Sequence, residues 1–239
     1  MRPARIDKFI DEVDTIEWLI DKLLPNVGWT LLYGQQGLGK TTLAMQMCAA
    51  LQQGTDFLGR QVKQTNILYI QADSVVAEWR AMLKRIAPKC KGHTVVDVPS
   101  KCLGSPECVV WLRNAVVKIN PGFVVFDSLY NLTAWPISTD NGILTCVNFM
   151  KDIASGKPWL LIHHPPHAEN RAAGHHSLAA NCSNEWSLLK TKLKIEKGRL
   201  VSDKEILITR DTEGLWQLYK KEDSSGSHTY GNIVDMRIQ

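Results

Sequence analysis

A group of glycines followed by a lysine and two hydroxyl side chains has the spacing of a phosphate-binding loop. Residues 34–42 read Gly-Gln-Gln-Gly-Leu-Gly-Lys-Thr-Thr, which satisfies the pattern G-x₄-G-K-[ST]. Glycines let backbone N–H groups turn inward around phosphates, and the positive end of the following helix adds to the attraction. The pattern predicts that Lys40 contacts the β- and γ-phosphates of ATP and that the Thr41 hydroxyl is a ligand of Mg²⁺. The residues predicted to bind the nucleotide are Gly34, Gln35, Gln36, Gly37, Leu38, Gly39, Lys40, Thr41 and Thr42.

A carboxylate follows an apolar run later in the chain. Residues 123–126 are all apolar and lead directly to Asp127. Ligands of open α/β sheets bind at the carboxyl ends of the strands. Asp127 is therefore predicted to join the Mg²⁺ shell through water, the alternative being an aspartate that only caps a strand end. Because the next residue is Ser128 and not glutamate, the catalytic base has to come from another element.

A second carboxylate follows the predicted strand at 66–70. Asp73 lies just beyond that strand, where a carboxylate faces the phosphates and can polarise the attacking water. Asp73 is therefore predicted to be the catalytic base. The alternative is that Asp73 caps the helix expected to begin near residue 75, in which case Glu78 in its first turn is the replacement base.

Histidines follow the predicted strand at 159–162. A polar side chain at this position lies beside the γ-phosphate and suits a sensor of hydrolysis, for which His164 is the first candidate and His163 the second. The competing interpretation is an ordinary pair of loop histidines. A metal site is a further alternative, but the spacings match no common zinc pattern. The side chains of that alternative are His163, His164, His167, His175, His176 and Cys182.

Two basic residues, Lys197 and Arg199, flank a glycine between two predicted strands. A lysine and an arginine on a β-turn can reach the ATP site of a neighbouring subunit and stabilise transition-state charge. They are predicted to act as a finger in trans. The alternative is a basic turn on a solvated surface.

The elements that must position these residues alternate between strands and helices. Buried apolar strands alternating with amphipathic helices predict an α/β fold with a mostly parallel central sheet flanked by helices. Period-two alternation near the end adds antiparallel strands at the C-terminal edge. The predicted helices are 6–24, 41–51, 74–86, 107–119 and 143–153, and the predicted strands are 29–33, 66–70, 94–98, 123–126, 159–162, 186–196, 205–210 and 215–219.

Composition is that of an ordinary globular protein. The chain has 239 residues, of which 44% are hydrophobic and 22% charged, and its net charge is +4. No apolar run approaches the ~20 residues of a membrane span, and the charged first residues do not resemble a signal peptide. We expect a cytoplasmic protein with no membrane partner, whose six cysteines are reduced thiols.

Taken together, these motifs resemble the RecA-like P-loop ATPases of the plasmid RepA replicative-helicase type. DnaB-type helicases, KaiC and phage RecA-core recombination proteins are more distantly similar. The resemblance covers about 16–218 and implies that Lys40 and Thr41 bind phosphate and Mg²⁺, that Asp127 is the Walker B residue, and that His164 is the sensor. Lys197 and Arg199 take the role of the trans-acting finger. The stretches that carry the resemblance are 16–19, 34–42, 68–73, 124–128, 161–164 and 197–199.

The resemblance implies an ATP-hydrolysing motor that acts on single-stranded DNA in replication or recombination. A finger in trans implies a homo-oligomer, a hexameric ring or a filament. The alternatives are a recombination or annealing mediator that does not unwind DNA, and a KaiC-like signalling ATPase directed at protein. Relatives usually carry glutamate where this chain has Asp73, and some carry an arginine where it has Glu185.

Three segments are predicted: a helical lead-in at 1–28, the RecA-like core at 29–221, and a tail or docking arm at 222–239. The loops expected to line the channel of a ring are 128–142 and 165–180. They carry aromatic residues, among them Tyr130 and Trp135, and almost no lysine. Aromatic stacking together with positive charge is the usual way to hold single strands, and backbone N–H groups can replace the charge.

Overall fold

The computed structural model describes residues 16–73, 75–86, 94–164, 175–198, 201 and 203–220. The strands are β1 Trp18–Ile20, β2 Leu24–Pro25, β3 Trp29–Tyr33, β4 Ile67–Gln71, β5 Thr94–Asp97, β6 Phe123–Asp127, β7 Trp159–His163, β8 Asn184–Leu188, β9 Lys192–Gly198, β10 Glu205–Arg210 and β11 Trp216–Leu218. The helices are α1 Lys40–Gln53, α2 Val76–Ile86, α3 Pro106–Ile119, α4 Leu129–Leu132, α5 Asp140–Ala154 and α6 His175–Asn181, and a 3₁₀ turn spans Cys102–Gly104.

Nine of these strands form one sheet in the order β11-β10-β9-β8-β3-β7-β6-β4-β5. The six from β8 to β5 are parallel, and β9, β10 and β11 continue the sheet in antiparallel fashion. Strands buried on both faces read as continuous apolar runs, which is why the parallel part was recognisable in the sequence. The predicted fold class is confirmed.

Each face of the sheet has its own hydrophobic core. In β6, Phe123 and Val125 pack into one core together with α1 and Trp79 of α2. Val124 and Phe126 point to the other core, which α3, α4 and α5 cover. Because successive side chains of a strand alternate between faces, both cores are built from the same short strands, and the strand ends are held in fixed positions.

Aromatic rings of three central strands pack against one another. Trp29 of β3 and Trp159 of β7 are register partners, and their rings stack with centroids 4.5 Å apart. Phe126 of β6 meets Trp159 edge to face at 5.5 Å. Such pairs add to the stabilisation that burial alone provides.

The predicted helix at 6–24 is wrong over its described part, 16–24, which forms the short hairpin β1–β2. Leu19 and Asp21 bond through the backbone to Lys63 and Gln61, and Ile20 makes an isolated bridge with Val62. The apolar spacing suits a helix face, but these long-range hydrogen bonds satisfy the backbone in the extended form. The rest of the predicted lead-in lies outside the described residues.

The predicted strand 186–196 is two strands, β8 and β9, which reverse through a turn at 189–191. Within this turn the Leu189 N–H bonds to the Lys192 carbonyl at 2.9 Å. Lys197 and Gly198 belong to β9 and not to a turn, so that part of the prediction is also corrected. The predicted tail at 222–239 lies outside the described residues.

The expectation that all cysteines are reduced is wrong for one pair, because Cys102 and Cys108 form a disulfide. The 3₁₀ turn and the first turn of α3 bring their Cα atoms to 5.8 Å. Ser105 caps α3 between them by accepting a bond from the Cys108 N–H at 3.3 Å. The three buried free cysteines of the described chain are Cys48, Cys146 and Cys182.

Among the described residues, none of the helices combines the length and the apolar character that crossing a bilayer requires.

Candidate functional site

The glycine-rich loop at 34–39 lies between the end of β3 and the start of α1, as the sequence pattern predicts. Gly37 and Gly39 both adopt φ +79°, a conformation that residues with a Cβ rarely adopt. The Gly39 carbonyl accepts the first bond of α1, from the Leu43 N–H at 2.9 Å. The loop therefore curves around the amino end of a helix, where anions are stabilised.

The Lys40 side chain bends back over this loop. Its Nζ donates to the Gly34 carbonyl at 2.6 Å and to the Gln35 carbonyl at 2.9 Å. Burial lowers the pKa of Lys40 to about 8, and the nearby charges of Asp127 and Asp73 oppose the shift. The Lys40 ammonium is thus held against carbonyls of the loop that is predicted to bind the phosphates.

ADP affinity should fall as the pH rises above 8. The nucleotide-free protein loses the Lys40 proton near pH 8, whereas bound phosphate holds that proton, so binding takes up a proton above this pH. We expect the Kd for ADP, measured by titration calorimetry, to be about tenfold higher at pH 9.5 than at pH 7.5. The matched control is Lys40→Arg, whose guanidinium does not titrate in this range, so its Kd for ADP should not change with pH. A Kd that is equally independent of pH in the wild-type protein would contradict the prediction.

Asp127, at the end of β6, is fully buried. Its Oδ2 accepts from the Thr41 hydroxyl at 2.9 Å and from the Tyr69 hydroxyl at 2.7 Å. Burial raises its pKa to about 6, although both hydrogen bonds act in the opposite direction. The two predicted metal-binding residues, Thr41 and Asp127, therefore meet directly beneath the loop.

A divalent cation fits these residues. Asp127 Oδ1 is buried without a hydrogen-bond partner among the described residues, which is unfavourable for a carboxylate unless a cation or its water fills the position. Asp73, Asp127 and His164 each offer a ligand atom, and these atoms lie within 4.8 Å of one another. Hydroxyl and carboxylate oxygens are what Mg²⁺ prefers, so Thr41 and Asp127 would hold it.

Asp73 lies one strand away, just beyond β4. Its Oδ1 accepts from the Ser128 hydroxyl at 3.2 Å and from the Asn131 amide. Its Oδ2 is 3.5 Å from His164 Nε2. Hydrogen bonding to His164 is the largest cause of its lowered pKa, which burial partly opposes. Asp73 is therefore a charged, oriented carboxylate beside the phosphate loop.

Sequence reasoning missed the hydroxyl and amide groups that orient the carboxylates. Ser128 and Asn131 hold Asp73, and Tyr69 holds Asp127. One signal was available for the first two, because Ser128 directly follows β6 and Asn131 lies in the short helix after it, so both are near the carboxyl edge of the sheet. Tyr69 lies inside a strand whose sequence is typical of the core, and nothing in the local pattern distinguishes this tyrosine from an ordinary core residue.

The remaining sensor and base candidates are placed differently. His164 directly follows β7 and contacts Asp73, whereas His163 is the buried last residue of β7. Glu78 is exposed in the first turn of α2. Cys182, one of the residues of the alternative metal site, is buried, and its Sγ donates to the Ala179 carbonyl at 3.3 Å.

Lys197 is not part of this cluster. It pairs with Glu185 of β8, which pairs with Leu31 of β3, so it lies two strands from the loop and away from the carboxyl edge. Its Nζ donates to the carbonyls of Ala179 and Ala180 at 2.6 and 3.2 Å. Arg199 lies outside the described residues, and the role of this basic pair stays a prediction.

The comparisons with known proteins agree with this geometry. No curated protein matches the chain. A family model described as AAA domain matches residues 1–170. This span contains the phosphate loop, Asp73, Asp127 and His164, and it ends before β8. Because the match covers most of the chain, the protein belongs to the AAA domain family, a family of P-loop ATPases.

Proposed function

We propose that the protein hydrolyses ATP at the loop 34–42 and couples this reaction to movement on single-stranded DNA, as an oligomeric RecA-like motor of the replicative-helicase type. The observation that carries the proposal is the cluster of Lys40, Thr41, Asp127 and Asp73 at one edge of the sheet. Membership of a P-loop ATPase family supports the ATPase part. The DNA-directed part rests on the RecA-like resemblance and on the contacts of α4.

In this proposal the loop orients the triphosphate and Lys40 balances its charge. Thr41 and Asp127 would hold Mg²⁺, which would neutralise charge on the phosphate oxygens. Phosphoryl transfer depends mainly on positioning and electrostatics. Ser128 and Asn131 hold Asp73 Oδ1, so Oδ2, the oxygen that faces His164, is the one that takes the proton of the attacking water.

Helix α4 supports a link between this carboxylate and a bound strand. Tyr130 is 66% exposed on α4, and the next residue, Asn131, donates its hydrogen bond to Asp73. Bases stack on exposed aromatic rings in many single-strand binding sites. Trp135 is unsuited to this role, because its ring stacks on Phe149 at 4.9 Å. A base on Tyr130 would thus shift the residue that orients Asp73.

Single-stranded DNA should stimulate steady-state ATP hydrolysis, and the stimulation should weaken as salt rises, since phosphate contacts release counterions. Tyr130→Ala should retain the DNA-free rate and lose most of the stimulation. Tyr219→Ala is the matched control, because Tyr219 is a second exposed tyrosine, 52% accessible. It follows β11, which is the outermost strand on one side of the sheet. The rates are measured at low and moderate salt with the same oligonucleotide.

A hydrolysis rate that DNA leaves unchanged would contradict the DNA-directed part of the proposal and favour a protein-directed ATPase. If DNA stimulates the wild-type protein and Tyr130→Ala equally, the coupling through α4 is wrong. Strand displacement from a forked duplex then separates a helicase from a mediator that binds single strands without unwinding.

A further inference from the structure

The antiparallel hairpin β10–β11 packs against the phosphate loop. Arg210 and Trp216 are register partners across this hairpin. The Arg210 guanidinium lies over the Trp216 ring at 4.6 Å, and its Nη2 donates to the Leu38 carbonyl at 2.5 Å. The arginine therefore contacts the loop at Leu38, whereas Lys40 contacts it at Gly34 and Gln35.

Trp216 makes a second connection to the same loop. Its Nε1 donates to the Gly39 carbonyl at 3.1 Å. Its backbone exchanges two bonds with the Gln46 side chain of α1, at 2.8 and 3.0 Å. Only 5% of Trp216 is exposed. The hairpin thus holds both the last carbonyls of the loop and the helix that follows.

The turn of the hairpin is firmly built, so it can act as a rigid support. Asp211 Oδ1 accepts from the backbone N–H groups of Glu213 and Leu215 at 2.9 and 2.8 Å. The Asp211 N–H bonds back to the Leu215 carbonyl at 2.9 Å. Arg210 and Trp216 flank this turn and are held at a fixed separation.

These contacts favour one orientation of two loop peptides. A phosphate cradle needs N–H groups directed inward, so the carbonyls of the same peptides have to point outward. Arg210 and Trp216 bind two such carbonyls, those of Leu38 and Gly39. The fit is close, since a Cβ at Gly39 would lie 2.4 Å from Arg210 Nη2.

We propose that Arg210 and Trp216 are positioning residues that hold the phosphate loop in its nucleotide-binding form. The segment that matches the AAA domain family ends at residue 170, so the nucleotide site of this protein is completed by a hairpin outside that segment. The inference rests on nucleotide binding at the loop, which is part of the proposed function, and is independent of DNA.

Arg210→Ala should weaken nucleotide binding with little effect on the chemical step. When only a fraction of molecules has a competent loop, the apparent Kd rises by the inverse of that fraction. We expect the Kd for ADP and the KM for ATP to rise about tenfold, while kcat changes less than about twofold. Binding is measured by titration calorimetry with ADP, and hydrolysis by phosphate release.

Conservative variants distinguish a role of Arg210 and Trp216 in positioning the loop from a general effect on the stability of the protein. Arg210→Lys keeps a donor for Leu38 but loses the planar stack on Trp216, so it should recover part of the affinity. Trp216→Phe keeps an aromatic ring but loses the Nε1 donor and part of the buried ring volume, and it should raise the Kd by a smaller factor than Arg210→Ala. Gln217→Ala is the control, because Gln217 is exposed and alternates to the other face of the same strand.

The outcomes are distinct. Wild-type affinity in folded Arg210→Ala and Trp216→Phe proteins, judged by unchanged thermal midpoints without nucleotide, would overturn the inference. A fall in kcat with an unchanged KM would also overturn it, since that pattern belongs to a group acting on the transition state. Failure of the wild-type protein to bind ADP would instead overturn the proposed nucleotide site itself.

Discussion

Replacing Lys40 with alanine should abolish ATP turnover, with a loss of at least about a hundredfold in kcat/KM. The side chain is 2% exposed and its ammonium lies on the loop that cradles the phosphates. Without it, the charge that develops on the phosphate oxygens loses its nearest fixed counter-charge. Steady-state phosphate release measures the effect. Lys118→Ala is the matched control, because it removes one positive charge from an exposed position on α3.

The same substitution should not lower the stability of the nucleotide-free protein. Burial lowers the pKa of Lys40, which means that the folded state disfavours the charged form relative to the unfolded chain. Removing that group relieves the penalty, so the thermal midpoint without nucleotide should hold or rise. Turnover at the wild-type rate in Lys40→Ala would overturn the assignment of the site.

Asp73→Asn should lower kcat by about 10²- to 10⁴-fold, the range expected for loss of a general base. The asparagine carbonyl keeps an acceptor for Ser128 and Asn131, so the local geometry is preserved while the basic oxygen is lost. Affinity for ADP should be equal or tighter, because a negative charge near the phosphates is removed. Single-turnover hydrolysis and ADP calorimetry separate the two effects.

Two further variants test the assignment of Asp73 as the base. Asp73→Glu, which introduces the residue that the RecA-like relatives usually carry, should retain hydrolysis. Glu78→Gln, which removes the competing carboxylate on α2, should leave kcat unchanged. If Glu78→Gln abolishes hydrolysis while Asp73→Asn retains it, the roles of these two carboxylates are reversed and Asp73 is only a helix cap.

Local patterns were sufficient to predict the parallel sheet and the position of most of the cluster. Strand β6 is recognisable because four apolar residues precede Asp127, and the loop is recognisable because its glycines and Lys40 have a fixed spacing. Since carboxyl ends of parallel strands meet at one edge, the strand pattern alone places Asp73 and Asp127 at the same edge, whereas their close approach also requires that β4 lies next to β6.

Features that depend on distant partners could not be predicted. The hairpin β1–β2 depends on backbone bonds to residues 61–63, and without them its apolar spacing is equally compatible with a helix. Arg210 contacts Leu38 across a separation of 172 residues. No periodicity or motif predicts such a contact, because the contact results from the order of the strands in the sheet. The pairing of Cys102 with Cys108 is local, with a sequence separation of 6, but it depends on the turn between them, which the spacing of the two cysteines does not reveal.

The place of β3 in the middle of the sheet has a consequence for how the chain folds during synthesis. Its neighbours are β7 and β8, so the strand that leads into the phosphate loop has no partner until the chain has been made as far as His163, and it lacks the second until Leu188. Pairing across such long sequence separations is slow compared with local folding. A shorter nascent chain would leave one side of β3 as an open edge, a known route to aggregation. Nucleotide in the cell would therefore stabilise only chains that already include β7 and β8, because ligands stabilise the state that binds them.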